Sequence, residues 1–156
     1  MPFLETTLCG LLAGVVGALI MNLILRWISA TFAEPVNMIE VLGSFFTGSR
    51  ENAIWLGTLI HITAGAAFGT LYAWILNLIG ATTVLTAFFA GIGLGFFHGL
   101  VAAYTLMVFV SERHPVQAFR QATLPVGLFH LVAHTLYGGF VGAAAGLLTV
   151  LVSGLV

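Results

Sequence analysis

Four runs of apolar residues divide this chain, each long enough to cross a hydrocarbon core of roughly 30 Å, which takes about 20 residues of helix. They extend from Phe3 to Ile28, Ile54 to Ile79, Thr83 to Val110 and Leu124 to Val150. Gly80 to Thr82 is so short a link that the second and third spans must form an antiparallel hairpin. The longer links, Ser29 to Ala53 and Ser111 to Thr123, then lie together on the opposite side of the membrane, here called side B. Within the first of them, EPVNMIEVLGSFFTGS places Met38, Leu42 and Phe45 on one helical face and Asn37, Glu40, Ser44 and Thr47 on the other. Pro35 suits a first helical position, and the pattern predicts a short amphipathic helix over about 35–47 lying in the side B interface. The expected fold is all-α: one polytopic domain over 1–156, a bundle of four transmembrane helices.

Small and polar residues inside the spans share one face per helix. Gly57, His61, Gly65 and Gly69 recur every four residues in the second span, and Gly127, His130, His134, Gly138, Gly142 and Gly146 extend the pattern in the fourth. The third offers Gly91, Gly95, His98 and Ala102, and the first Gly10, Gly14, Gly17 and Met21, with Asn22 beside the stripe. Residues three or four apart occupy one face. Small residues at that spacing let membrane helices approach closely, which is the ordinary use of such a stripe; beside an imidazole they also leave room for a flat macrocycle or a lipid-soluble ring.

Composition fixes the class. The chain has 156 residues, 60% hydrophobic and 6% charged, with a mean hydropathy of +1.14, far from any soluble domain of this size. With no lysine and no aspartate, its whole formal charge rests on four arginines against five glutamates, a net of -1 that excludes nucleic-acid binding. Arg26, Arg50, Arg113 and Arg120 all fall at or beyond the side B ends. The positive-inside rule then puts side B in the cytoplasm and both termini outside it. Trp27 and Trp55 sit near the side B boundary and Trp74 near the other, as interfacial indoles do. MPFLETTLCG carries no basic segment before its apolar run and is expected to open a retained span, not a cleaved signal. A single cysteine, Cys9, rules out an intrachain disulfide and a CxxC redox pair.

The histidines carry the candidate chemistry. At 1.5 Å per residue, His61 lies roughly 9 Å inside the side B boundary, His130 roughly 13 Å, and His98 and His134 roughly 20 Å. All four fall between the side B third and the midplane. Each imidazole surrenders water there and needs a partner. A hydrogen bond to a neighbouring helix is the commoner answer for a single one. For four at compatible depths on three helices, a bound centre becomes the leading expectation: imidazole suits zinc, copper, iron and haem iron, and His130 and His134 stand one turn apart. The expectation is a b-type haem, or a copper or zinc ion, held by His61, His98, His130 and His134. Asn22, Tyr104 and Tyr137 would fix imidazole orientation, and electron transfer would follow if haem is present. His114, in the SERHP loop, is expected to be solvated.

Several chemistries are excluded by what the spans lack. There is no HExxH, no GxSG, and, with Glu5 at the very end of the first span, no carboxylate in the membrane interior for a di-iron site or for the coupling step of small multidrug exporters. Magnesium and calcium would lack hard oxygen ligands. Two further expectations stand beside the bound centre. One is a cofactor-free structural subunit, in a homo-oligomer or larger complex, docking on other membrane helices within lipid. The other is a carrier or channel for a small neutral molecule with the histidines at its constriction.

AGVVGALIMN in the first span aligns with AGIGLGFFHG in the third, Ala13 on Ala90, and HITAGAAFG in the second with HTLYGGFVG in the fourth, His61 on His134. Such a repeat runs parallel, with its axis along the membrane normal. Together GLLAGVVGALIMN, the PxNMxxxLG of the first loop, HITAGAAFGTLYA, the GxGxFHG of the third span and HTLYGGFVG resemble a family of small bacterial four-helix integral membrane proteins of unknown function. The resemblance covers most of the chain and implies a four-helix fold in a bacterial inner membrane. It implies no reaction.

Overall fold

The computed structural model describes residues 2–32, 37–81, 83–121 and 123–153, and among them every regular element is a helix. Helix α1 spans Phe3–Phe32, α2 Met38–Thr47, α3 Ala53–Leu78, and α4 Val84–Tyr104, which continues through a π-helical stretch at Thr105–Val110 to Arg113. Helix α5 spans Leu124–Ser153. α1, α3, α4 and α5 are the four helices long and apolar enough to cross a membrane, so the chain is an integral membrane protein of the four-helix class. Against the expected spans, α3 is shifted back by one residue, α4 begins one residue later, and α1, α4 and α5 run four, three and three residues past the apolar stretch at their C-terminal ends. Pro35, the expected start of the interfacial helix, lies outside the described residues; α2 instead begins after an N-cap at Asn37, whose side chain accepts from the Glu40 amide at 3.3 Å.

Local chemistry sets the element ends. Gly80 takes φ +69°, the left-handed conformation that closes α3, and the Ala81 amide donates back to the Leu76 carbonyl at 3.0 Å. Thr83 and Thr86 then cap α4 reciprocally. This compact turn makes α3 and α4 antiparallel, as the short link requires.

The helices pack as two close pairs, α1 with α3 and α4 with α5, and the glycine stripes lie at the crossings. A methyl group on Gly14 would stand 3.0 Å from the Gly69 Cα; one on Gly91 would stand 3.0 Å from the Gly142 Cα. The alignment of Ala13 with Ala90 and His61 with His134 sets Gly14 on Gly91 and Gly69 on Gly142, so the two contacts are the same contact made twice. Gly65, abutting Gly14 and Ala18, likewise corresponds to Gly138, abutting Gly91 and Gly95. Gly146 packs on Val84 and Ala87, and Gly57 turns away from the bundle to face Ile39 and Gly43 of α2.

The pairs do not associate symmetrically. α1 packs along α5, with Gly17 accepting the Tyr137 ring and the flank of Phe140, whereas α3 barely touches α4. Phe68, Tyr72 and His98 occupy the gap between those two helices.

α2 departs from its expected orientation. Its buried face consists of Ile39, Glu40, Gly43 and Ser44, so Glu40 and Ser44 point inward. The reason is steric: Gly43 approaches the Ala53 backbone so closely that only the small face can dock on α3. Glu40 is compensated by Asn37 Nδ2, which donates to its carboxylate at 2.6 Å, and by an ion pair with Arg50.

Candidate functional site

The histidine-bearing stripes of α3, α4 and α5 turn toward one another inside the bundle. The His98 and His134 rings lie 4.7 Å apart between centroids, edge to face, and the His130 and His134 rings 6.5 Å apart. His61, His130 and His134 are buried, and His98 is half-buried beneath the Phe68 ring, whose centroid is 3.9 Å away. A cleft of about 60 Å³ runs between His61, His98 and His134, lined also by Ala18, Met21, Phe68 and Tyr137; His130 lies outside its lining.

Hydrogen bonding assigns the tautomers. A carbonyl oxygen only accepts, so a ring nitrogen facing one carries the proton. His130 Nδ1 faces the Val126 carbonyl at 2.8 Å, and His134 Nδ1 faces the His130 carbonyl at 2.7 Å. Both therefore donate from Nδ1 and keep a lone pair on Nε2. His61 is reversed, its Nε2 donating to the Ala18 carbonyl at 3.0 Å. The tyrosines spend their protons on backbone: Tyr137 donates to the Gly65 carbonyl at 2.6 Å and Tyr72 to the Leu94 carbonyl at 3.1 Å. With Tyr72 so committed, His98 Nδ1, 3.1 Å from its oxygen, is the donor in that contact and also leaves Nε2 bare.

The result is an enclosure rich in acceptors and poor in donors. His130 Nε2 is its extreme case, a buried nitrogen with no hydrogen-bond partner among the described residues. Such an atom costs about 1 to 3 kcal/mol relative to a satisfied one, and native structures rarely retain one without a use. Among the described residues no three His, Cys, Asp or Glu side chains form a ready-made metal-binding group.

The expected supporting residues divide. Tyr137 belongs to the site, its ring 5.9 Å from that of Tyr72. Tyr104 does not: it is 68% exposed on the outer surface, because six residues of α-helix after His98 turn it well off that face. Asn22 also faces elsewhere, lining a polar crevice on side B with Arg26, Ser29, Asn37 and Thr58. Tyr72 and Phe68 were not expected; Tyr72 continues the His61, Gly65, Gly69 stripe, and extending that face by one turn reveals it.

His114 corrects the expectation of a solvated loop residue. It is 0% exposed, receives the Val116 amide on Nδ1 at 3.0 Å and donates from Nε2 to the Val41 carbonyl of α2 at 3.0 Å. Phe45 and Phe119 stand against its ring, and Arg120 donates to its carbonyl at 2.6 Å. Its role is to join the α4–α5 loop to α2.

No family model, no curated protein and no solved structure matches this chain. The functional reading therefore rests on the site itself.

Proposed function

We propose that this integral membrane protein binds one transition-metal ion, copper or zinc, inside its bundle through the bare Nε2 atoms of His130 and His134. The observation that carries the reading is His130 Nε2, buried, proton-free and without a partner. An imidazole that donates Nδ1–H to a carbonyl and keeps Nε2 bare has the arrangement of a metal-ligating histidine, since the second bond fixes the ring and raises its basicity. His134 has the same arrangement one turn away. A quinone-like ligand would offer carbonyl acceptors to a site already short of donors; a cation satisfies it.

The residues present do not fit haem. A cleft of about 60 Å³ is far below the roughly 300 to 1,000 Å³ of ordinary cofactor pockets. Gly69 on the His61 stripe and Gly95 and Gly138 beside His98 and His134 are spent on backbone contacts between helices and leave no room for a macrocycle.

A second reading has its own support. The His61 to Ala18 and Tyr137 to Gly65 bonds tie α3 to α1 and α5, and a purely structural protein would use them so. Elemental analysis of purified protein separates the two. About one copper or zinc per chain in wild type, lost in both His130→Ala and His134→Ala while helix content is kept, is expected. Folded wild type that takes up neither metal when both are supplied during expression would overturn the proposal.

A further inference from the structure

Resting on the metal reading above, we infer that the ion is monovalent copper, with the Met21 thioether as the sulfur ligand beside the imidazoles. Two independent observations lead there.

The first is the charge of the site. Every carboxylate in the chain, Glu5, Glu34, Glu40, Glu51 and Glu112, lies in a link or at a span end. Glu40 is already engaged by Arg50 and Asn37 at side B. The lone thiol is also out of reach: Cys9 precedes Met21 by about 18 Å along α1 and packs near the Ala144 carbonyl. The ligands available are thus all neutral, so an ion keeps its full charge in a hydrocarbon-like interior. That desolvation penalty grows with the square of the charge. A divalent zinc ion bears it about four times over relative to a monovalent one.

The second is the softness of the lining. Met21 is buried and shares the cleft with His61, His98 and His134. Thioether sulfur selects cuprous copper among biological cations, whereas zinc prefers thiolate, imidazole and carboxylate. Binding involves no electron transfer: the ion enters as the cuprous species, and lone pairs of imidazole nitrogen and thioether sulfur are donated to it.

The test uses the full-length protein in detergent, under anaerobic conditions. It is titrated with cuprous ion buffered by bicinchoninate, with silver(I) as a redox-inert monovalent probe, and with zinc(II). Wild type should take up one cuprous or silver ion per chain and keep it against excess zinc. Met21→Leu, close in size and apolar, should bind cuprous ion at least tenfold more weakly, with unchanged helix content and zinc response. Copper-edge absorption should show a sulfur scatterer in wild type that is missing from Met21→Leu, which separates ligation from packing. Preference for zinc, or cuprous affinity unchanged in Met21→Leu, would overturn this inference while leaving a histidine metal site standing. Uptake of none of the three ions would overturn both.

Discussion

His114 and His130 are both buried imidazoles, and the difference between them separates structure from function. His114 has a partner on each ring nitrogen, Val116 and Val41, and so resembles a structural fastener. Replacing it with alanine strands the Val116 amide and opens a hole beside Phe45; a loss of about 1 to 3 kcal/mol is expected. Thermal unfolding in detergent checks the loss, and protease cleavage near α2 should rise with it. His130 has one nitrogen satisfied and one bare. Removing a buried unpaired polar atom in favour of an apolar group of similar shape is nearly neutral or stabilising. Metal-free His130→Leu should therefore melt no lower than metal-free wild type, although it binds no metal. A melting point several degrees lower would mean that Nε2 has a stabilising partner in the protein. Tyr137→Phe should instead lose one interhelical hydrogen bond, about 0.6 to 2 kcal/mol. These contrasts were only partly legible in the sequence. Depth and helical face brought His61, His98, His130 and His134 into one region, but no spacing rule tells which nitrogen meets a carbonyl.

Among the elements, the α4–α5 contact is set by backbone meeting backbone. A methyl group on Gly138 would lie 2.7 Å from the Gly95 Cα and 2.8 Å from its nitrogen, neither of which can swing aside. Gly138→Ala should cost about 1 to 3 kcal/mol by forcing the helices apart. Gly93 lies on the same helix as Gly95 with open space around it. There Gly93→Ala should be neutral or gain up to about 1 kcal/mol in helix propensity. Paired melting curves of the two variants in detergent check the contrast; equal effects would show that the stripe makes no close contact. The spans themselves were legible because length and apolarity decide them. The orientation of α2 was not, since amphipathicity ranks faces by polarity, while here the smallness of Gly43 decides which face docks. The burial of His114 depends in turn on that docking and has no local signature.

For the whole molecule, two glycine-matched helix pairs meet tightly along α1 and α5 and loosely between α3 and α4, and the histidine cleft lies where the packing is incomplete. The repeat was visible as two short alignments; its asymmetry arises from side chains such as Tyr72 and Phe68 that the matched motifs do not share. Arg26, Arg50, Arg113 and Arg120 gather at side B, so a reporter fused at the C-terminus should be active only outside the cytoplasm. Cytoplasmic activity would reverse the orientation. The central claim is that the bundle holds imidazoles whose bare Nε2 atoms await a cation. Histidine-selective nitrogen-15 NMR of metal-free protein tests it most directly. His130 and His134 should appear as Nδ1–H tautomers, and their Nε2 resonances should move on adding cuprous or zinc ion. Nε2–H tautomers at both positions, or Nε2 signals unmoved by either ion, would contradict it.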